Sequence, residues 1–321
     1  MEKRGKMSKI SIIIPVYFNA DTLEALYLDM KEKILGKTGD YEIVFVDDGS
    51  GDDSWKVMNQ LRQQDEHIKC IKLSRNFGEH AAILAGLFHC TGDCAVTKQA
   101  DLQEDSTLIL EMYESWKRGN KVVLAVRKER HENPVKVFFA NMYYSIIRRI
   151  VNKNMPAGGC DCYLIDRNVI EVLKLMDEKN SSLTLQVMWV GFQTDMIYFV
   201  RKDREVGRSR WTLGKKIKLV MDSVMSFSYF PLRMMSFLGV AFNVLALILL
   251  IEVLIEKFSH GTPIAGWASL MSVLLCGFGL VMLMLGMVGE YVWRTLDATR
   301  PRPPYIVDEI RTASEAEEQT K

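Results

Sequence analysis

Short β-branched runs alternate with amphipathic stretches from Ile10 to about Val126. Strands are expected at ISIIIPV, YEIVFVD, IKCIKLS, CAVTKQ and KVVLAV, and helices over Asp21 to Ile34, Ser54 to Gln64, Glu79 to His89 and Thr107 to Arg118. This rhythm predicts an α/β fold built on a doubly wound, mainly parallel sheet with helices on both faces. In such a sheet ligands collect beyond the carboxyl ends of the strands. The segments after the five strands are PVYFNAD, DDGSGDDS, SRNFGEH, ADLQED and RKER. All carry polar or charged groups, so one shared site is expected there. No G-x-G-x-x-G follows the first strand, so a diphosphate would have to be held another way, with a bound divalent cation the obvious substitute.

The pattern changes after Pro231. The run from Met234 to Ile255 carries a single charge, Glu252, and the run from Ile264 to Gly289 carries none. Each is as long as the ~20 residues that a bilayer helix needs. The link EKFSHGTP is too short for a domain, so the two runs predict a hairpin with both ends on one side. Arg233 before it and Arg294, Arg300 and Arg302 after it assign that side, with the N-terminal domain and the tail, to the cytoplasm. Two further stretches read as interfacial helices. In residues 134–153, Val135, Phe138, Phe139, Met142, Ile146 and Ile150 share a face beside Lys136, Arg148, Arg149 and Lys153. In residues 212–232, Leu213, Ile217, Val220, Met221 and Val224 do so beside Lys215, Lys216 and Lys218. A core-facing helix is the competing reading of each. The basic, then apolar start MEKRGKMSKISIIIPVYF reads as a first strand and not as a secretory signal.

Composition narrows this further. Forty-one Lys and Arg against 40 Asp and Glu give no global electrostatic case for nucleic acid. The six cysteines form no paired C-x-x-C framework and are read as reduced thiols facing the cytosol.

The quoted segments, with GD before ADLQ, then DCYLID with Arg167, REVGRSRWTL, GMVGEYVWR and RPRPPYIV, resemble nearly throughout the GT-A fold, family 2 glycosyltransferases that act on polyprenyl phosphate. These include dolichol-phosphate mannose synthase and the bactoprenol glucosyl and aminoarabinose transferases. The resemblance implies an inverting transfer of one sugar from a nucleotide diphosphate, with UDP-glucose the first guess, to undecaprenyl phosphate at the cytoplasmic face of the cell membrane. It implies a cytoplasmic GT-A domain over residues 1–211, a juxtamembrane helix over 212–232, two spanning helices within 233–292 and a cytoplasmic tail over 293–321. A homo-oligomer, with a tetramer the suggested form, also rests on resemblance alone.

The same resemblance assigns roles to residues. Asp101 would hold Mg2+ or Mn2+, with Gln103 contributing its amide oxygen. Gln99 stands where the commoner Asp-x-Asp pattern has its first carboxylate, which should weaken the metal site without forbidding it. One carboxylate with the donor phosphates can complete a magnesium sphere. Asp47 and Asp48 would accept hydrogen bonds from base or ribose, with Gly49 at their turn, and Pro15 and Tyr17 would lie against the base. Phe18 and Asn19 depart from the usual Asn-Glu, leaving Asp21 as a weak substitute. Asp161 would lie near the acceptor and orient the nucleophile or act as base, although Cys162 and Tyr163 replace the usual Phe-Arg. Arg127, Arg204, Ser209 and Arg210 match phosphate-meeting positions, while Arg75, Asn76 and His80 open a helix near the same rim. Two rivals stay open. A processive polysaccharide synthase would explain Arg210-Trp211 but lacks the glutamine of its motif, and an inactive scaffold would explain the altered metal motif.

Overall fold

The computed structural model describes residues 8–128, 141–142, 144–149, 151–156, 158–176, 178, 181–200, 213–260 and 266–312. These fall into two compact units, residues up to 220 together with those from 302 onward, and residues 221–301.

The first unit is an eight-stranded α/β sheet. Its strands are β1 Lys9–Val16, β2 Asp40–Asp47, β3 Ile68–Leu73, β4 Cys94–Thr97, β5 Val122–Arg127, β6 Cys160–Asp166, β7 Thr194–Phe199 and β8 Val307–Arg311. They lie in the order β7-β5-β6-β4-β1-β2-β3-β8. Strand β1 pairs in parallel with β2 and β4, β2 with β3, and β5 with β7, whereas β6 runs antiparallel between β4 and β5 and β8 antiparallel on β3. The central strand β1 is buried on both faces: Ile12 and Ile14 pack with one hydrophobic cluster and Ile13 with the other. That explains its continuous apolar run, where a half-exposed strand would alternate.

Helices α1 Ala20–Met30, α2 Ser54–Gln64 and α4 Leu108–Lys117 cover the Ile12 face. Helices α3 Glu79–His89, α5 Arg167–Leu175 and α6 Leu183–Trp189 cover the Ile13 face. Leu23, Leu26, Tyr27 and Met30 form the buried stripe of α1, at the helical spacing of its apolar positions. A π-helical turn, Lys31–Leu35, carries α1 on toward β2. The strand β8 comes from the tail segment after the apolar helices and closes the β3 edge.

The second unit holds the end of α7, Leu213–Phe227, and two long helices, α8 Phe230–His260 and α9 Trp267–Thr299. Spans Phe230–Leu249 and Val273–Thr299 are long and apolar enough to cross a membrane, with mean hydropathy 2.0 and 2.1. Asp222 near the end of α7 accepts a hydrogen bond from Arg294 of α9 at 2.8 Å, and Glu290 accepts a second from the same guanidinium at 2.9 Å. In the 134–153 stretch, residues 141–142 and 144–149 are helical, with Ile147 buried and Arg148 and Arg149 exposed. Val135, Phe138, Phe139 and Ile150 lie outside the described residues.

Candidate functional site

Parallel register brings the carboxyl ends of β1, β2 and β4 to one edge of the sheet: Val16 sits opposite Asp47 and Ile13 opposite Thr97. Because β6 is antiparallel to both β4 and β5, its first residues arrive at that edge beside the end of β5. Five polar segments therefore converge there.

The turn after β2 is the most rigidly built. Asp48 spends both carboxylate oxygens on the segment that opens α3: it accepts from the Phe77 N–H at 2.7 Å, the Gly78 N–H at 2.9 Å and the Asn76 side-chain amide at 2.9 Å. Burial nonetheless pushes its pKa up to about 6, against the pull of those backbone N–H groups and with help from the charges of Asp47 and Glu79. Gly49 has φ +71°, and a β-carbon there would lie 2.7 Å from the backbone of Arg75 and Asn76. Both the left-handed turn and the close approach require glycine. Asp47 is wholly buried. One of its oxygens accepts from the Ser50 N–H at 3.0 Å; the other, Oδ2, has no hydrogen-bond partner among the described residues. Burial raises its pKa as well.

Among the described residues two non-glycine residues hold positive φ, Phe18 at 57° and Leu102 at 58°, and they fall in the turns after β1 and β4. Bulky residues visit that region at a cost of order 1–3 kcal/mol, and such strain gathers at functional sites. Side-chain and backbone hydrogen bonds hold both turns. At the first, the Phe18 N–H donates to Ser50 Oγ, the Tyr17 N–H to Asn19 Oδ1, and the Asn19 N–H to Ser54 Oγ, all at 3.0–3.1 Å. The Tyr17 and Phe18 rings meet edge to face at 4.8 Å. At the second, the Gln103 N–H donates to Asp101 Oδ1 at 3.3 Å, and Thr22 of α1 donates to the Ala100 carbonyl at 2.7 Å. Buried Lys98 closes the turn from within by donating to the Glu104 carbonyl at 2.9 Å.

Other expected residues are less central. Pro15 lies inside β1, buried and paired with Val46, and not in the loop beyond it. Asp21 is exposed in the first turn of α1. Arg75 is exposed with its guanidinium 4.0 Å from the Phe77 ring centre, and His80 is half-buried in the first turn of α3. Gln99 is half-buried and donates its amide to Glu79 at 2.5 Å. Arg127 ends β5, and Gly158 lies so close to its carbonyl that a β-carbon would collide. Asp161 stands at an irregularity of the ladder: Ala125 opposes Cys162 and Val126 opposes Cys160, leaving Asp161 the extra residue. Such bulges re-aim a chain beside active sites. Arg204, Ser209 and Arg210 lie outside the described residues. Lys98 and Glu79 also stand among these segments, although nothing in their spacing marks them. Tyr163 is buried, and its hydroxyl has no partner among the described residues.

Residues 11–174 match the family model "Glycosyl transferase family 2", just over half of the chain and all of the strand-end turns just described up to β6. The chain belongs to glycosyl transferase family 2. Its likeness to family 2 relatives runs well past the matched region. An uncharacterized glycosyltransferase of Bacillus subtilis, YkcC, is 37% identical over 92% of this chain and 92% of its own length. The prophage bactoprenol glucosyl transferase homolog of Escherichia coli is 32% identical over 94% of this chain and 99% of its own, and the bactoprenol glucosyl transferase of Shigella phage SfX is 32% identical over 93% and 98%. These alignments take in the two apolar helices as well as the sheet unit.

Proposed function

We propose that this transferase moves a single sugar, with inversion, from a UDP-sugar to polyprenyl phosphate at the cytoplasmic membrane face, with undecaprenyl phosphate as acceptor and glucose as the first sugar to try. The observation that carries the reading is Asp47 Oδ2: a fully buried carboxylate oxygen without a donor among the described residues, at the carboxyl end of β2 in a family of sugar transferases. A buried acceptor without a donor is costly, and an N–H or O–H of a nucleotide would relieve it. The relatives named for bactoprenol and the two membrane-length helices support a lipid acceptor.

Asp48 and Gly49 shape the nucleotide turn, and Tyr17 offers an aromatic wall. Among the described residues no three His, Cys, Asp or Glu side chains come together as a metal cage. The Asp101–Gln103 turn does offer hard oxygen donors, which suits Mg2+ or Mn2+ sharing its sphere with substrate phosphates. Bound there, the ion would neutralise charge on the departing diphosphate. Arg127, Arg204 and Arg210, with Ser209, would hold phosphates of donor or acceptor through forked or hydroxyl donors. The acceptor phosphate, with a second pKa of about 6, is largely a dianion near neutrality. Asp161 therefore has to orient it more than deprotonate it. As the lipid phosphate oxygen bonds to the anomeric carbon, the bond to the nucleoside diphosphate breaks and that diphosphate leaves with the electron pair.

The test offers a panel of UDP- and GDP-sugars with undecaprenyl phosphate to detergent-purified full-length protein, with and without chelator. Transfer from one UDP-sugar, lost on chelation and in Asp101→Ala while the variant stays folded, is expected. Normal turnover by Asp101→Ala would refute the metal assignment. No donor affinity with or without Mg2+ or Mn2+ would favour the inactive scaffold.

A further inference from the structure

One acidic side chain at the site edge has no role in the reading above. Glu79 is the first residue of α3, half-buried, where the positive end of the helix dipole favours a carboxylate. It accepts the Gln99 amide at 2.5 Å. A carboxylate only accepts, so the NH2 end of Gln99 must face it and the amide carbonyl is turned away. Gln99 therefore fixes the orientation of Glu79 and supplies no charge of its own. Among the described residues no Lys, Arg or His stands within ion-pair distance of Glu79, and its second oxygen has no partner.

The surroundings are polar and incompletely satisfied. Glu79 is near enough to Asp48 and Tyr163 for its charge to act on both, and the buried Tyr163 hydroxyl has no partner among the described residues. Glu79 follows directly on the 76–78 segment that Asp48 locks, while Gln99 lies two residues before Asp101. The pair thus bridges the nucleotide turn and the proposed metal turn.

We propose that Glu79, oriented by Gln99, is a donor-binding residue: it provides at this point the carboxylate that position 99 lacks, and accepts hydrogen bonds from O–H groups of the bound donor complex. The inference rests on the nucleotide-sugar reading. Two sources offer that O–H chemistry, the ribose hydroxyls and water on a phosphate-bound ion.

The experiment titrates UDP into full-length, detergent-purified protein by calorimetry, with and without Mn2+, and follows bound Mn2+ by electron paramagnetic resonance. Glu79→Gln keeps an amide pair and the same shape, so the melting temperature should hold while UDP affinity falls about tenfold, the loss of one charge-assisted hydrogen bond. The double variant Glu79→Gln with Gln99→Glu puts the carboxylate back on the other partner, and should return to within about threefold of wild type. If ribose is the source, 2′-deoxy- or 3′-deoxy-UDP removes the penalty of Glu79→Gln. If the ion's water is the source, the penalty vanishes without Mn2+ and the Mn2+ signal shows weaker retention. Glu79→Gln binding UDP and Mn2+ like wild type, or a folded double variant no better than the single one, would overturn the proposal alone. Wild-type protein that binds no UDP would overturn the parent reading and this one with it.

Discussion

In the sheet unit Ile13 and Phe45 are wholly buried, whereas in the hairpin unit Phe278 and Leu283 are 63% and 64% exposed, although the two regions draw on the same apolar residue types. The difference is the one expected if the two regions meet different solvents. Strands of the first unit bury their side chains between two helical layers, where removal from water stabilises them by roughly 25 cal/mol per Å2 of apolar surface. Helices α8 and α9 turn theirs outward, an arrangement that is stable where the surroundings are apolar too. The two units also hold a shielded carboxylate differently. Asp48 is wrapped by backbone N–H groups and one amide, while Asp222, with 13% of its side chain exposed, faces the guanidinium of Arg294.

The contrast can be broken most forcefully at its apolar residues. Phe45→Ala should cost about 3–5 kcal/mol, a buried ring replaced by a cavity, and Phe278→Ala under about 1 kcal/mol. Thermal unfolding of both variants in the same detergent checks this. Equal losses would mean that the outer face of α9 is covered by protein and not by lipid. Next comes the ion pair. Asp222→Ala takes from the shielded Arg294 its less exposed carboxylate partner and should destabilise the hairpin unit by about 2–3 kcal/mol, less than for a fully buried pair because both groups keep some contact with water. Protease sensitivity between α7 and α8 in detergent, compared with a charge-reversed Asp222→Arg/Arg294→Asp variant, separates the pair from simple loss of packing: reversal should recover most of the protection.

Much of this arrangement is legible in the sequence, and the parts that are not share a physical reason. Strands β1 to β5 announce themselves because each is a short apolar run bounded by polar turns, and α2 and α3 span the residues their amphipathic patterns mark. Strand β6, CDCYLID, carries a charged second residue at a bulge; β7 is half exposed; β8, VDEIR, has no local reason to be a strand until β3 offers its edge. Their state is set by pairing across tens or hundreds of residues, which local periodicity does not carry. The site divides the same way. Gly49 and Asp101 stand in turns whose residue types mark them. The commitment of Asp48 to the 76–78 segment, and of Gln99 to Glu79, depends on contacts 20 to 30 residues distant. Pro15 falls within the apolar run ISIIIPV and is the penultimate residue of β1, but only the register with Val46 shows that it is buried.

The smallest expected effect sharpens the contrast between the two carboxylates. Asp48 titrates at about 6 in the folded protein because burial disfavours its charge more than its hydrogen bonds favour it; in the unfolded chain an aspartate titrates near 3.9. Between those two values the native state holds a proton that the unfolded chain has released. The contribution of this group to stability is therefore fully present below about pH 4 and is lost as the pH rises through 6. In Asp48→Asn the titration disappears, and an NH2 group meets donors that the carboxylate had accepted, so the variant is weaker throughout. The margin of wild type over Asp48→Asn should shrink by up to about 2 kcal/mol between pH 4 and pH 7, measured by denaturant unfolding of both proteins in one detergent. A margin that grew with pH would show that the N–H groups of Phe77 and Gly78 outweigh burial, so that the sheet unit holds its shielded carboxylate as a charge.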